Sequence, residues 1–112
     1  MLTNEGCPEN MRAMKDAIDI IDGKWKLPIL IALSAGSKRF TEIAKEVTSI
    51  SDKMLSKELK DLEINKLVTR IVADESPLTV EYSITSHGQS LEKVMKELYQ
   101  WGIEHRKEVI GK

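Results

Sequence analysis

A chain of 112 residues, 41% hydrophobic and 31% charged, has room for one modest core and not two, and its composition is that of a soluble, folded domain. The longest mainly apolar run, residues 27–33, falls far short of the roughly 18 residues of a membrane span, and the opening MLTNEGCPEN lacks the basic-then-apolar pattern of a signal peptide, so a cytoplasmic protein with no membrane partner is expected. One cysteine excludes an intramolecular disulfide; with no zinc-ligand spacing, glycine-rich phosphate loop, nucleophile elbow or catalytic Cys/His pair, the residues give no reason to expect a metal, a cofactor or an enzyme.

Met11, Met14, Ala17, Ile18 and Ile21 recur at helical spacing after Asn10, which predicts a first helix over about 11–21, capped by Asn10 and stopped at Asp22-Gly23. GKWKLPILIALSAG follows as a buried helix starting near Lys24 and ended by Gly36, with Pro28 tolerable only near the first turn. Lys38-Arg39-Phe40 forms a short extended link. Thr41 then caps TEIAKEV, with Ile43, Ala44 and Val47 inward, and a polar turn at residues 48–50 leads into SDKMLSKELKDLE.

In that stretch Leu55, Leu59 and Leu62 fall on one side of a helix at about 100° per residue, and Lys53, Lys57, Lys60 and Ser56 fall on the other. Ser51 is a good N-cap and Asp52 suits the first turn. Two short helices joined by a tight turn, the second basic on its outer face, make a helix-turn-helix over about residues 41–64. The charge distribution agrees: residues 23–70 carry ten Lys/Arg against six Asp/Glu, a net +4, while the chain as a whole is at −1, so a basic centre lies between acidic ends.

Beyond Leu67 the period shifts toward two. VTRIVA, a turn at residues 74–77 and TVEYSIT, with Val80, Tyr82 and Ile84 on one face, predict a β-hairpin over about 68–84, placed as a wing. Residues 86–110 then read as one long helix with a kink expected at Gly102. Its apolar residues, among them Leu91, Val94, Met95, Leu98, Tyr99, Trp101 and Val109, spread over roughly 160°, wider than the ~100° stripe of an ordinary surface helix, so the excess calls for a partner.

GKWKLPILIAL, RFTEIAKEV, ISDKMLSKELKDLE and VEYSITSHGQSL, in that order and spacing, resemble the HxlR-type family of winged-helix transcriptional regulators of bacteria and archaea, over almost the whole chain. The fold expected is α+β, mainly α: a single winged helix-turn-helix domain with an added N-terminal helix and a long C-terminal dimerisation helix. The resemblance implies a homodimer whose terminal helices form the interface, here Met14 and Ile18 of the first helix with Leu91, Val94, Leu98 and Trp101 of the last. It further implies two recognition helices in successive major grooves of a palindromic operator in double-stranded DNA.

Ser51, Lys53, Met54 and Lys57 occupy the start of the family's recognition helix, and Arg70 the basic position entering the wing. Lysines on phosphate position without specifying, so Ser51, Met54 and Ser56 are the candidates for base edges, and Lys53, Lys57, Lys60, Lys38 and Arg39 for the backbone. For Lys60, furthest from the helix start, solvent is the competing role. The chain departs from the family where Leu78-Thr79 stands in place of a basic residue and where Asp74 and Glu75 add repulsion toward phosphate. It departs again at Lys66, where a glycine is common, so Asn65 or Lys66 is expected to turn left-handed, Asn being the more tolerant.

Trp25 and Trp101, at helical spacing, read as core rather than as a ligand pocket. Cys7 has two readings: a reduced bystander thiol near the N-terminus, or, as the resemblance implies for a cysteine followed by proline, a redox switch for an oxidant or small electrophile. The rival to operator binding is a winged-helix module for protein–protein interaction, its lysines meeting an acidic partner.

Overall fold

A computed structural model describes residues 8–73 and 79–112, with side chains from residue 10 onward. The expectations for Cys7, for the wing turn at residues 74–77 and for Leu78 lie outside the described residues.

The elements run α1 (Pro8–Ile21), α2 (Lys26–Ser34), β1 (Lys38–Arg39), α3 (Phe40–Glu46), α4 (Asp52–Ile64), β2 (Val68–Ala73), β3 (Thr79–Ile84), α5 (Ser86–Gln89) and α6 (Leu91–Val109). α2 is the hub. It packs against α1, α3, α4 and β3, and its Ile29, Leu30 and Leu33 are fully buried with Ile43 of α3 and Leu55, Leu59 and Leu62 of α4. Its N-cap is Trp25 and its first residue Lys26, two positions past Lys24, so Pro28 sits in the first turn, where a missing N–H leaves no intrahelical bond unmade. α1 begins at Pro8 rather than after Asn10; proline's fixed φ and absent N–H suit the first helical position, and this carries the helix start upstream of the polar residue.

β1, β3 and β2 form an antiparallel sheet in that order. Lys38 pairs with Tyr82 and Arg39 with Glu81, and the wing hairpin runs in register from Val68 opposite Ile84 to Ala73 opposite Thr79. This pairing corrects the cap of the helix that follows. Arg39 is held extended by the sheet (φ −79°, ψ 159°), so α3 starts directly after it with Thr41 inside the first turn. Glu42 Oε1 accepts from the Arg39 backbone N–H at 2.8 Å.

At the front of α4, Ser51 caps as expected, its Oγ accepting from Met54 N–H at 3.1 Å. At the back, Leu67 N–H donates to Leu62 C=O (2.9 Å) and Lys66 N–H to Glu63 C=O (3.0 Å), the bonding pattern of a Schellman motif. The left-handed residue is Lys66 (φ 63°), not Asn65. Burial decides this: Leu62 and Leu67 are both in the core, which fixes the reversal one residue after the cap, while Asn65 stays helical in φ (−83°) and its Nδ2 donates to Asp61 C=O at 2.8 Å.

The single helix expected over residues 86–110 is divided at Ser90 into α5 and α6, and α6 runs through Gly102 without interruption. α5 is pinned to the end of α4. Thr85 Oγ1 accepts from Gly88 N–H (2.9 Å) and donates to Lys66 C=O (2.7 Å), and Thr85 N–H donates to Leu67 C=O (3.0 Å). Gly88 is buried so tightly in this latch that an added Cβ would lie 2.6 Å from Ile84 Cγ1 and closer still to the Leu67 carbonyl oxygen. Gly88→Ala is therefore expected to lower unfolding stability by about 1–3 kcal/mol through overpacking against backbone, read by denaturant melts; an unchanged midpoint would show that α5 does not seat as described.

Candidate nucleic-acid interface

Packing of the leucine face of α4 onto α2 turns the opposite face outward, so Ser51, Lys53, Ser56, Lys57 and Lys60 are all exposed and Met54 is half-buried beside them. The Ser51 cap leaves the first backbone N–H groups and the positive dipole end of α4 at the same edge as Lys53. Arg70, on β2, is exposed and joins Ser56, Lys60, Glu63 and Tyr82 around a shallow cleft of about 250 Å³. The structure thus brings Lys60 beside Arg70. Arg39 is exposed at the start of α3, whereas the Lys38 side chain is turned in, only 16% exposed, with its Nζ 3.3 Å from Glu46 Oε1.

One charged network was not read from the sequence. Glu58, on the buried side of α4 at 8% exposure, is met by Lys26 of α2, Nζ to Oε1 2.7 Å. Lys26 Nζ also lies 3.7 Å from Asp61 Oδ2, and Lys57 Nζ lies 3.3 Å from Asp61 Oδ2 and 3.7 Å from Glu58 Oε2. The hydrogen bond to Asp61, then the charges of Asp61 and Glu58, raise the Lys57 ammonium above its ordinary pKa, so the side chain is a cation throughout the physiological range. The Lys57–Asp61 spacing of four on a helix was the signal available; the Lys26–Glu58 pair, 32 residues apart, had none.

The residues expected at a dimer interface lie on α1 and α6. Met14 and Ile18 on α1 and Val94, Leu98 and Trp101 on α6 are exposed in the single chain, and α6 contains no buried residue. Leu91 is half-buried against the chain's own core. Trp25 packs on the core as expected, but Trp101 is exposed and stacks on His105 at 4.7 Å between ring centroids; neither lines the cleft of about 730 Å³ between α1, the end of α4 and the start of α6. Among the described residues no group of three or more metal-ligating side chains occurs and no helix is long and apolar enough to cross a membrane.

A two-helix motif with a basic, solvent-facing second helix, flanked by a β-hairpin wing, defines a winged helix-turn-helix protein of the transcription-regulator class. Residues 20–109 match the HxlR-like helix-turn-helix family, and the chain belongs to it. It is 36% identical over 99 residues to the HTH-type transcriptional regulator YtcD of Bacillus subtilis, covering 88% of this chain and 79% of that protein. To the HTH-type transcriptional regulator YodB of the same organism it is 38% identical over 98 residues, covering 88% and 84%. The crystal structure of diamide-treated YodB superposes with a TM-score of 0.75 at 37% identity, covering 88% of this chain and 93% of that one. The redox regulator HypR in its reduced form gives 0.79 at 33% identity, covering 89% and 99%.

Proposed function

We propose that the chain is a sequence-specific, non-catalytic DNA-binding regulator that acts as a homodimer on a palindromic operator. The observation that carries this reading is the division of α4 into a buried leucine face and an exposed lysine face behind a Ser51-capped N-terminus. In a major groove, Lys53, Lys57 and Lys60 face the phosphates together with Arg39 and Arg70, while Ser51, Met54 and Ser56 are nearest the base edges. Ser51 Oγ accepts the cap hydrogen bond from Met54 N–H, which leaves its O–H free to donate toward a base. Lys38, engaged by Glu46, contributes less than its sequence position implies. Lys53→Ala and Lys57→Ala are each expected to weaken binding and to reduce the slope of log K against log salt by about one unit, with melting temperature unchanged. DNase footprinting on the protein's own promoter region should show a protected palindrome; unprotected DNA would favour the protein-interaction reading.

The exposed apolar residues of α1 and α6 support a homodimer that sets two α4 helices roughly one DNA turn, ~34 Å, apart. Val94→Lys or Leu98→Lys places an unpaired charge in that interface, at several kcal/mol of association. Sedimentation should show monomers at micromolar concentration for both variants, and a persistent dimer would put the interface elsewhere.

We further propose that Cys7 makes the regulator thiol-responsive. It immediately precedes α1 in the chain, and α1 carries Met14 and Ile18 of the proposed interface. The relatives support this: HypR is a redox regulator, and YodB has been solved in diamide-treated and quinone-bound forms. Diamide joins two Cys7 thiols, or Cys7 and a small thiol, into a disulfide and is itself reduced to the hydrazine; a quinone instead takes the thiolate by addition. Treatment is expected to weaken operator binding of the wild type and not of Cys7→Ser, with reductant reversing the disulfide form alone. Equal affinities after treatment would make Cys7 a bystander.

A further inference from the structure

Lys57 is the one lysine of the exposed α4 face for which a carboxylate contact is found among the described residues: Lys53 and Lys60 have none, while Lys57 is held by both Asp61 (3.3 Å) and Glu58 (3.7 Å). Those carboxylates are in turn shared with Lys26, whose side chain is only 16% exposed and which contacts Glu58 at 2.7 Å and Asp61 at 3.7 Å. Two cations and two anions balance while Lys57 stays home. When Lys57 swings to a phosphate, the group left behind on α4, Lys26 with Glu58 and Asp61, carries a net −1 beside the DNA.

We infer that Asp61 and Glu58 are positioning residues that restrain Lys57 and compete with backbone phosphate for its ammonium, and that Lys26, without touching DNA, offsets their charge and so sets how readily Lys57 is released. The inference rests on the DNA-binding reading above. It assigns a role in DNA affinity to three residues outside the contact set, and it explains why a buried carboxylate sits on the back of a helix whose front is cationic. Because the Lys57 contact is to phosphate, the restraint acts on all duplexes and holds down binding to unrelated sequence.

The test is a double-mutant cycle on full-length protein, with the duplex of its own promoter region and an unrelated duplex of equal length as probes. Asp61→Asn, at a partly exposed position, should leave the thermal midpoint unchanged and tighten binding to both duplexes about two- to fivefold, the range of an exposed ion pair. In a Lys57→Ala background the same substitution should lose most of that gain, whereas Glu63→Gln, which removes a nearby charge outside the network, should act equally in both backgrounds. Lys26→Met should weaken binding about two- to fivefold, and adding Glu58→Gln should restore it. A gain from Asp61→Asn that survives without Lys57 would reduce Asp61 to a long-range charge and overturn the inference while leaving DNA binding intact. Wild-type affinity unaltered by Lys57→Ala would remove the contact on which it depends, and failure of every variant to bind either duplex would overturn both readings.

Discussion

The contact between α2 and α4 sets the geometry of everything else. Ile29, Leu30 and Leu33 meet Leu55, Leu59 and Leu62, all essentially fully buried, and fully burying side chains of this kind is worth about 1.5–3 kcal/mol each. Because α4 has its leucines at this spacing, the rotation of the helix about its own axis is fixed by that packing. The rotation in turn determines that Lys53, Ser56, Lys57 and Lys60 look outward. A leucine moved by one position would swing the cationic face by about 100°, and the wing and the lysines would no longer share a surface.

Two further devices hold α4 in place along its axis and at its end. Lys26 and Glu58 tie the helix to α2 on a side where apolar contact runs out. A nearly buried ion pair adds little net stability over an apolar one, but it disfavours alternative rotations that would strand a carboxylate. The Thr85–Lys66 and Thr85–Leu67 bonds clamp the reversal after α4 to the turn before α5. α4, the wing and α5 therefore meet at one latch, built from a threonine, a left-handed lysine and a glycine.

Much of this was legible in the chain because it is written in apolar periodicity, a local signal. The leucine and lysine faces of α4, the Ser51 cap, the wing strands and the first-turn placement of Pro28 all follow from spacing and capping chemistry within a dozen residues. What escaped was set by tertiary packing and side-chain contacts rather than by apolar spacing. Arg39 became the cap of α3 because β1 pairs with β3, some forty residues later. Lys66 rather than Asn65 turned left-handed because Leu67 had to reach the core, a demand of packing that overrode side-chain preference. Lys38 turned toward Glu46, and Lys26 toward Glu58, through contacts that no local pattern announces. The division of the last helix at Ser90 follows from the fit of Gly88 against Leu67 and Ile84, equally invisible in a helical wheel.

The last helix has a property that reaches beyond geometry. α6 is 19 residues long without one fully buried residue, whereas helices in proteins draw most of their stability from packing an amphipathic face. Were a second copy to cover that face, as in the proposed dimer, part of the packing that orders α6 would be intermolecular, and its stability would rise with protein concentration.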